Sequence, residues 1–392
     1  MSDKNSKSDN RLIEERREKL QGLRESGFNY PSTIAKDSSS KDIIDEHDSL
    51  SKEDIEALSK EFTIAGRMMA KRIMGKSSFS RIKDGNGSIQ IFLSQADLGE
   101  EPYSNFKTMD VGDIVWIRGT LFRTKTDELT LNVTELILLS KSLRPLPEKY
   151  HGLTDTEIRY RRRYLDLMMS EDSSEVFKVR SKVVTEIRSF LNDLDMMEVE
   201  TPMMHPIPGG AVARPFVTHH NTLDQDFYLR IAPELYLKRL TVGGFDRVYE
   251  INRSFRNEGV STQHNPEFTM LELYIAHETP DFLMEMIEDM MRSISNVLSG
   301  SESIEYQGQT IDLSQKFQRL TMEEAVIKYN PNIDKGKLRD AEYLISYAKE
   351  MNLNIEDSDD GGRVLFEIFE KTVEHELQQP TYIRIIFVSE TV

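Results

Sequence analysis

The run FDRVYEINRSFRNEGVSTQHNPEFTMLELYI, residues 245–275, decides how the chain is read. Period-two alternation divides it into two strands joined by a long loop. In the first strand Glu250, Asn252, Ser254 and Arg256 share one face, and Ile251 and Phe255 take the other. In the second, Phe268, Met270, Glu272 and Tyr274 share a face opposite Leu271, Leu273 and Ile275. Each strand therefore has an apolar back and a polar front. A solvent-facing sheet has this pattern, and so does the floor of a site for a charged, planar ligand. The loop, 257–266, is too long for a tight hairpin turn and carries Glu258 and His264 where a phosphate or a base could meet them.

The whole chain sets bounds on that reading. Its 392 residues are enough for two or three domains with their own cores. A hydrophobic share of 38% with 30% charged residues fits a globular protein rather than a disordered one. The absence of cysteine excludes disulfides and thiolate metal sites. The adjacent His219 and His220 have no evident third ligand, so no metal-ligating residue is assigned. No apolar run approaches membrane-spanning length and none opens the chain, which makes the cytoplasm the default expectation and a membrane an unexpected partner. A net charge of −17 argues against indiscriminate nucleic-acid binding, although a local basic surface would suffice for RNA.

Upstream of the hairpin, residues 11–26 read as a charged helix, either solvated and laced with (i, i+4) pairs or touching an RNA backbone. A second polar helix is expected over 41–60. From 62 to 139 five short β runs, with a turn at Asp84-Gly85-Asn86-Gly87, fit a small barrel of the OB type. Barrels of this type often bind single-stranded nucleic acid. The densest basic cluster, Arg159 with Arg161, Arg162 and Arg163, suits a helix at a domain junction as well as it suits RNA. Val176, Val179, Val183, Ile187, Phe190, Leu191 and Leu194 then line one face of a long helix, and 197–203 turn to strand. Gly209-Gly210 permits close backbone approach. Glu234 sits at the start of a short helix, 233–240, where the helix N-terminus alone would favour a carboxylate. Glu272, aimed away from the buried back of its strand, calls for a ligand or an arginine partner. Further helices are expected over 281–298, whose methionines read as core packing, and over 322–329, 337–351 and 363–377.

FRNEG at 255–259 followed by HNPEF at 264–268 resembles motif 2 of the class II aminoacyl-tRNA synthetases. The flanking RIAPELYLKRL at 230–240 and MLELY at 270–274 narrow the resemblance to the lysyl-tRNA synthetases, and it extends over nearly the whole chain, to Ile383. It implies an α+β protein: an N-terminal OB-fold β-barrel plus a class II antiparallel-sheet catalytic domain. The implied division is a helical extension at 1–61, an anticodon-binding barrel at 62–142, a linker at 143–173 and a partial catalytic domain at 174–383. A helical insertion would occupy about 300–378. The implied activity is lysine–tRNA ligation, with ATP as substrate, magnesium accompanying it, and tRNA(Lys) and lysine as the other partners.

The same resemblance implies residue roles. Arg256 is the catalytic arginine on the α-phosphate and substrate carboxylate, a task its planar fork suits better than a lysine would. Glu258 and the Asn257 backbone read adenine, His264 and Asn265 meet the phosphate tail, and Phe268 stacks under the base. Gly210, Glu234, Glu272 and Tyr274 bind lysine, whose two ammonium groups demand acids and a hydroxyl. In the barrel Phe79 stacks on an anticodon base while Arg72, Gln90 and Glu128 supply hydrogen bonds; the alternative for Phe79 is a core ring. Helix, strand and Pro202 match motif 1 and imply a homodimer interface.

Past Ile383 the resemblance stops. The family pattern continues into acidic magnesium ligands and a glycine-rich motif 3, yet no glycine follows Gly362 here. Residues 384–392 match no expected element, which suggests a shifted reading frame or a truncated gene. Open sheet edges and the apolar IIFV would then predict poor solubility and weak activity. The competing reading is a tRNA-binding or dimerising fragment without a complete active site.

Overall fold

The structure is a computed structural model that describes residues 2–147, 155–356 and 358–384. The chain divides into two compact units, Met1–Ser173 and Ser174–Val392.

The first unit begins with helix α1 (Ser2–Glu25), then α2 (Ser40–His47) and α3 (Lys52–Ala57). The single helix expected over 41–60 is thus two. Ser39 and Ser51 each cap a separate N-terminus, and the second cap interrupts any continuous run. A closed barrel follows, built from β1 (Glu61–Met74), β2 (Ser77–Lys83), β3 (Ser88–Ser94), β4 (Ile114–Arg123) and β5 (Leu129–Ser140) in the order β1-β2-β3-β5-β4. Helices α4 (Gln95–Leu98) and α5 (Glu100–Thr108) lie between β3 and β4 in the chain. Strict alternation drives closure: Ile82, Ile89, Ile91, Leu93, Val115, Ile117, Leu131 and Val133 are all buried in one core. Gly119 sits at a bulge in β4, where a Cβ would come within 2.0 Å of the Asn132 carbonyl oxygen. Only glycine permits that approach.

Helix α1 is docked rather than free. Arg16 is 9% exposed and donates to the carbonyls of Ser142, Arg144 and Val111, each at 3.1 Å. Lys19 pairs with Asp110, which also meets the buried Lys141. Arg16 and Lys19 are therefore anchors, and Arg11 forms the expected (i, i+4) pair with Glu15. The arginine cluster lies on α6 (Thr156–Arg161) and α7 (Arg163–Met169). There Arg159 and Arg163 both pair with the buried Asp166, and Arg161 with Glu157. Part of that basic cluster is structural.

Helix α8 (Glu171–Asp193) leads into the second unit, where a three-stranded sheet of order β11-β10-β6 holds the hairpin. Strand β6 is only Met197–Glu198, shorter than the 197–203 expected. Farther along, Thr201 gives its N–H and hydroxyl to the Glu250 carboxylate instead of to a neighbouring strand. Two short strands, β7 (Met204–His205) and β8 (Val217–His220), flank β9 (Gln225–Leu229), and α9 (Glu234–Val242) follows. Strands β10 (Arg247–Phe255) and β11 (Glu267–Ile275) pair antiparallel, with Ile251 opposite Leu271 and Tyr249 opposite Leu273. These side chains pack with Ile187, Phe190, Leu191, Leu194 and Met196, so the apolar back rests on the C-terminal half of α8.

Helix α10 (Pro280–Ser299) is capped by Thr279 and closed by Gly300 at φ +66°. A hairpin, β12 (Ser303–Tyr306) with β13 (Gln309–Asp312), precedes β14 (Gln318–Thr321), which pairs in parallel with β15 (Thr381–Arg384). Between them α11 (Met322–Tyr329), α12 (Ala341–Glu350) and α13 (Gly361–Thr372) enclose a core of their own. Helix α12 starts four residues later than expected because Asp340 caps it, and α13 gives way to a 3₁₀ turn at Glu374–Glu376. Arg384 ends β15 and pairs with Asp281. The remaining tail, 385–392, and the middle of the expected linker, 148–154, lie outside the described residues.

Candidate functional site

The barrel carries a cleft of about 620 Å³ on its outer face. Arg72, Phe79, Gln90 and Glu128 all line it. Antiparallel register explains the convergence, because Arg72 lies opposite Phe79, Phe79 opposite Phe92, and Arg81 opposite Gln90. Phe79 points outward between the buried Ser78 and Ser80, so it is not a core ring. Phe92 stands 5.0 Å from Phe79 and 5.8 Å from Phe122 between ring centroids, and the three phenyls form one continuous aromatic wall. Glu128 is held by Arg81 at 2.5 Å, and Gln90 spends its amide N–H on Thr130, leaving its oxygen as an acceptor. Phe92, Phe122, Arg81 and Lys125, which also line the cleft, were missed from sequence. The signal was present for Phe92, since Ile91 and Leu93 alternate inward around it.

In the second unit the loop after β10 is pinned at its neck, where Arg256 N–H donates to the Pro266 carbonyl at 2.9 Å. Asn257 N–H reaches the Arg214 carbonyl, and the Ser261 hydroxyl contacts His264 Nδ1 at 2.9 Å. Asn257, Glu258, His264 and Asn265 are exposed along this loop. The Arg256 guanidinium carbon sits 5.2 Å from the centroid of the Phe268 ring, a cation–π contact. Its Nε is buried without a hydrogen-bond partner, and among the described residues Arg256 makes no ion pair with Glu258. A cation held by a ring, with a buried N–H unspent, is prepared for an anion that is not part of this chain.

The front of the hairpin is more enclosed than a polar face suggests. Glu250 and Ser254 are buried, and Glu250 lies directly opposite Glu272. The arginine partner that sequence reasoning sought for Glu272 goes elsewhere: Arg230 pairs with Glu250 at 2.8 Å. Among the described residues Glu272 receives only the Tyr274 hydroxyl at 3.5 Å. Burial first, and the charge of Glu234 second, raise the Glu272 pKa above the ordinary carboxylate value. Burial together with Glu272 and Glu234 pushes Tyr274 up to about 12. Glu234, Glu272 and Tyr274 thus share one electronegative neighbourhood. Glu234 is the first residue of α9 and accepts from Lys238 at 2.5 Å. Gly210, at φ +88°, packs against it so closely that a Cβ would fall 3.1 Å from the Glu234 Cβ.

Pro202 is exposed, and its carbonyl lies 2.8 Å from His205 Nε2. On α8 Val176 is 65% exposed, whereas Val179 and Val183 on the same face are half-buried. Among the described residues no three His, Asp or Glu side chains gather closely enough to hold a metal ion. No described helix is long and apolar enough to cross a membrane.

Residues 155–384 match the family of tRNA synthetases class II (D, K and N), and residues 62–139 match the OB-fold nucleic acid binding domain. The chain is 52% identical over 375 residues to a lysine–tRNA ligase of Thioalkalivibrio sulfidiphilus, covering 96% of this chain and 75% of that protein. It is 50% identical over 378 residues to one of Nitrosomonas europaea, with the same coverages. A lysine–tRNA ligase of Pectobacterium carotovorum is 52% identical over 95% of this chain and 74% of its own length.

Proposed function

Because the chain belongs to the lysine–tRNA ligases, class II tRNA synthetases with an OB-fold domain, we propose the following roles for its residues. The observation that carries them is the front of β11, where Phe268, Glu272 and Tyr274 fall on one strand face with Arg256 over the first and, among the described residues, no Lys or Arg at ion-pair distance from the second. Lysine enters against Glu234, Glu272 and Tyr274, one ammonium group supplying the counter-ion that Glu272 lacks among the described residues and the other meeting Glu234 beside Lys238, and Gly210 offers main-chain contacts beside Glu234. ATP lies along the loop. Asn257 and Glu258 face adenine, Phe268 supports it, and His264 and Asn265 meet the phosphate tail.

The carboxylate of lysine then attacks the α-phosphate and expels pyrophosphate. Negative charge grows on the phosphate oxygens in that step, and Arg256 is the fixed cation that stabilises it. Ligases of this family in general use ATP with Mg²⁺. The resulting lysyl-adenylate is the donor to the terminal ribose of tRNA.

In the barrel, Phe79 stacks on an anticodon base, extended by Phe92 and Phe122, while Arg72, Gln90 and Glu128 read base edges. We assign anticodon reading to 62–142, linkage to 143–173, and activation to 174–383 with about 300–378 as an insertion. The exposed Val176 on α8 and Pro202 support a homodimer, and we infer a cytoplasmic site of action for a ligase that uses tRNA. Lysine-dependent exchange of pyrophosphate into ATP by the purified chain tests the reading. Exchange that Arg256→Ala abolishes supports it. A folded chain that binds tRNA but shows no exchange favours a binding role alone.

A further inference from the structure

Arg230 and Glu250 are each 1% exposed, and both are committed to the fold. Arg230 stitches three segments together. Its Nε donates to the Arg253 carbonyl at 2.8 Å, its backbone N–H to the Met203 carbonyl at 2.8 Å, and its own carbonyl accepts from Phe255 N–H at 2.9 Å. The last contact lies one residue before Arg256. This architecture fixes a full positive charge close to Glu272, because Glu250 and Glu272 are direct partners in the antiparallel register. Arg230 and Glu250 act on Glu272 with opposite sign, the cation lowering its proton affinity and the carboxylate raising it.

The two carboxylates differ in what they still need. Glu250 accepts from Arg230 at 2.8 Å, from Thr201 N–H at 3.2 Å, from the Thr201 hydroxyl at 2.6 Å and from the Asn252 amide at 3.1 Å. It is saturated. Glu272 has one long contact from Tyr274 and, among the described residues, no Lys or Arg at ion-pair distance. Without Glu250, the buried guanidinium would turn its field on Glu272 and serve as an internal counter-ion, competing with any ligand cation. Stability alone is a weak reason for such a pair, since buried ion pairs are often replaceable by apolar side chains without loss.

We propose that Glu250 is a specificity-determining residue of the amino-acid site: it neutralises Arg230, so that Glu272 keeps its charge for an ammonium group of lysine. This rests on the assignment of Glu234, Glu272 and Tyr274 to lysine and adds the group that keeps that site anionic. Glu250 itself touches no ligand and acts through Arg230.

The test is calorimetric titration of the full chain with lysine and, separately, with ATP. It compares wild type, Glu272→Gln, Glu250→Gln and the double variant Arg230→Met/Glu250→Gln. Glu272→Gln examines the site itself and is expected to weaken lysine about tenfold or more. Glu250→Gln keeps the shape of the side chain but leaves Arg230 uncompensated. It is expected to weaken lysine about tenfold while ATP affinity stays within about twofold. The double variant removes the stray cation and is expected to recover lysine affinity to within about threefold of wild type. Relief of a stranded buried charge would also restore the fold in the double variant, so the discriminating readout is ATP affinity: a loosened fold lowers it together with lysine affinity, whereas the charge balance leaves it unchanged.

If Glu272→Gln leaves lysine affinity unchanged, the site assignment fails and the proposal with it. If Glu272→Gln weakens lysine but Glu250→Gln does not, the proposal alone is overturned. A double variant as weak as Glu250→Gln also overturns it. Should Glu250→Gln not fold, the double variant decides: affinity within about threefold supports the charge balance, and a tenfold loss refutes it.

Discussion

Arg256 shows how little of a residue's role lies in its identity. Its guanidinium rests on Phe268 and its Nε is buried without a partner, so the side chain is held ready while its hydrogen-bonding capacity is unspent. Arg256→Ala should lower lysine-dependent exchange by about 100-fold or more, the cost of losing one preorganised donor to a developing phosphate charge. Arg256→Lys should rescue little of it, since a point charge replaces a fork. Glu272 carries a pH signature. Its folded pKa is raised, so between the ordinary carboxylate value of 4.5 and that raised value the native state binds more protons than the unfolded chain. The contribution of this group to stability therefore falls as pH rises through the folded pKa, and it favours the fold in acid. Lysine binding has the opposite slope, because the ammonium needs the ionised form: affinity should weaken as pH is lowered toward the raised pKa of Glu272. Calorimetry from pH 8 to about pH 5 checks this, and Glu272→Gln should flatten the profile.

At the scale of elements, helix α1 depends on one side chain. Three carbonyl oxygens converge on Arg16, and Arg16→Ala should destabilise the first unit by about 2 kcal/mol, read as a shift in urea midpoint, because charge-assisted hydrogen bonds are lost from a buried site. A detached α1 would be the cause, with the barrel core intact. Nothing in residues 11–26 distinguished Arg16 from its exposed neighbours, since the partners lie at Val111, Ser142 and Arg144. The barrel strands and the hairpin were legible because alternation is a local property: each strand states its own inward face. The aromatic wall was half legible. Phe79 stood out, while Phe92 and Phe122 drew attention only once register set them side by side. The Arg230–Glu250 pair was not legible, because Arg230 precedes a helix start and its partner is 20 residues away. Helix boundaries failed for a related reason. Ser51 and Asp340 cap new helices where hydropathy continued without a break.

At the scale of the molecule, the proposed assignments separate recognition of the nucleic acid from chemistry on the amino acid. The cleft with Phe79 belongs to the unit Met1–Ser173, and Arg256 with Glu272 to Ser174–Val392. Each unit has its own buried core. Loss of one stacking platform should cost about 1–3 kcal/mol of nucleic-acid affinity. Phe79→Ala is therefore expected to weaken binding of tRNA(Lys) by roughly 10-fold to 100-fold in a filter-binding assay, at one fixed salt concentration because phosphate contacts are salt-dependent. The same variant should leave lysine-dependent pyrophosphate exchange within about twofold of wild type. Arg256→Ala should do the reverse, abolishing exchange with tRNA affinity intact. If Phe79→Ala also reduced exchange by tenfold in the absence of tRNA, the two units would be energetically coupled, and the activation site could not be understood from its own residues alone.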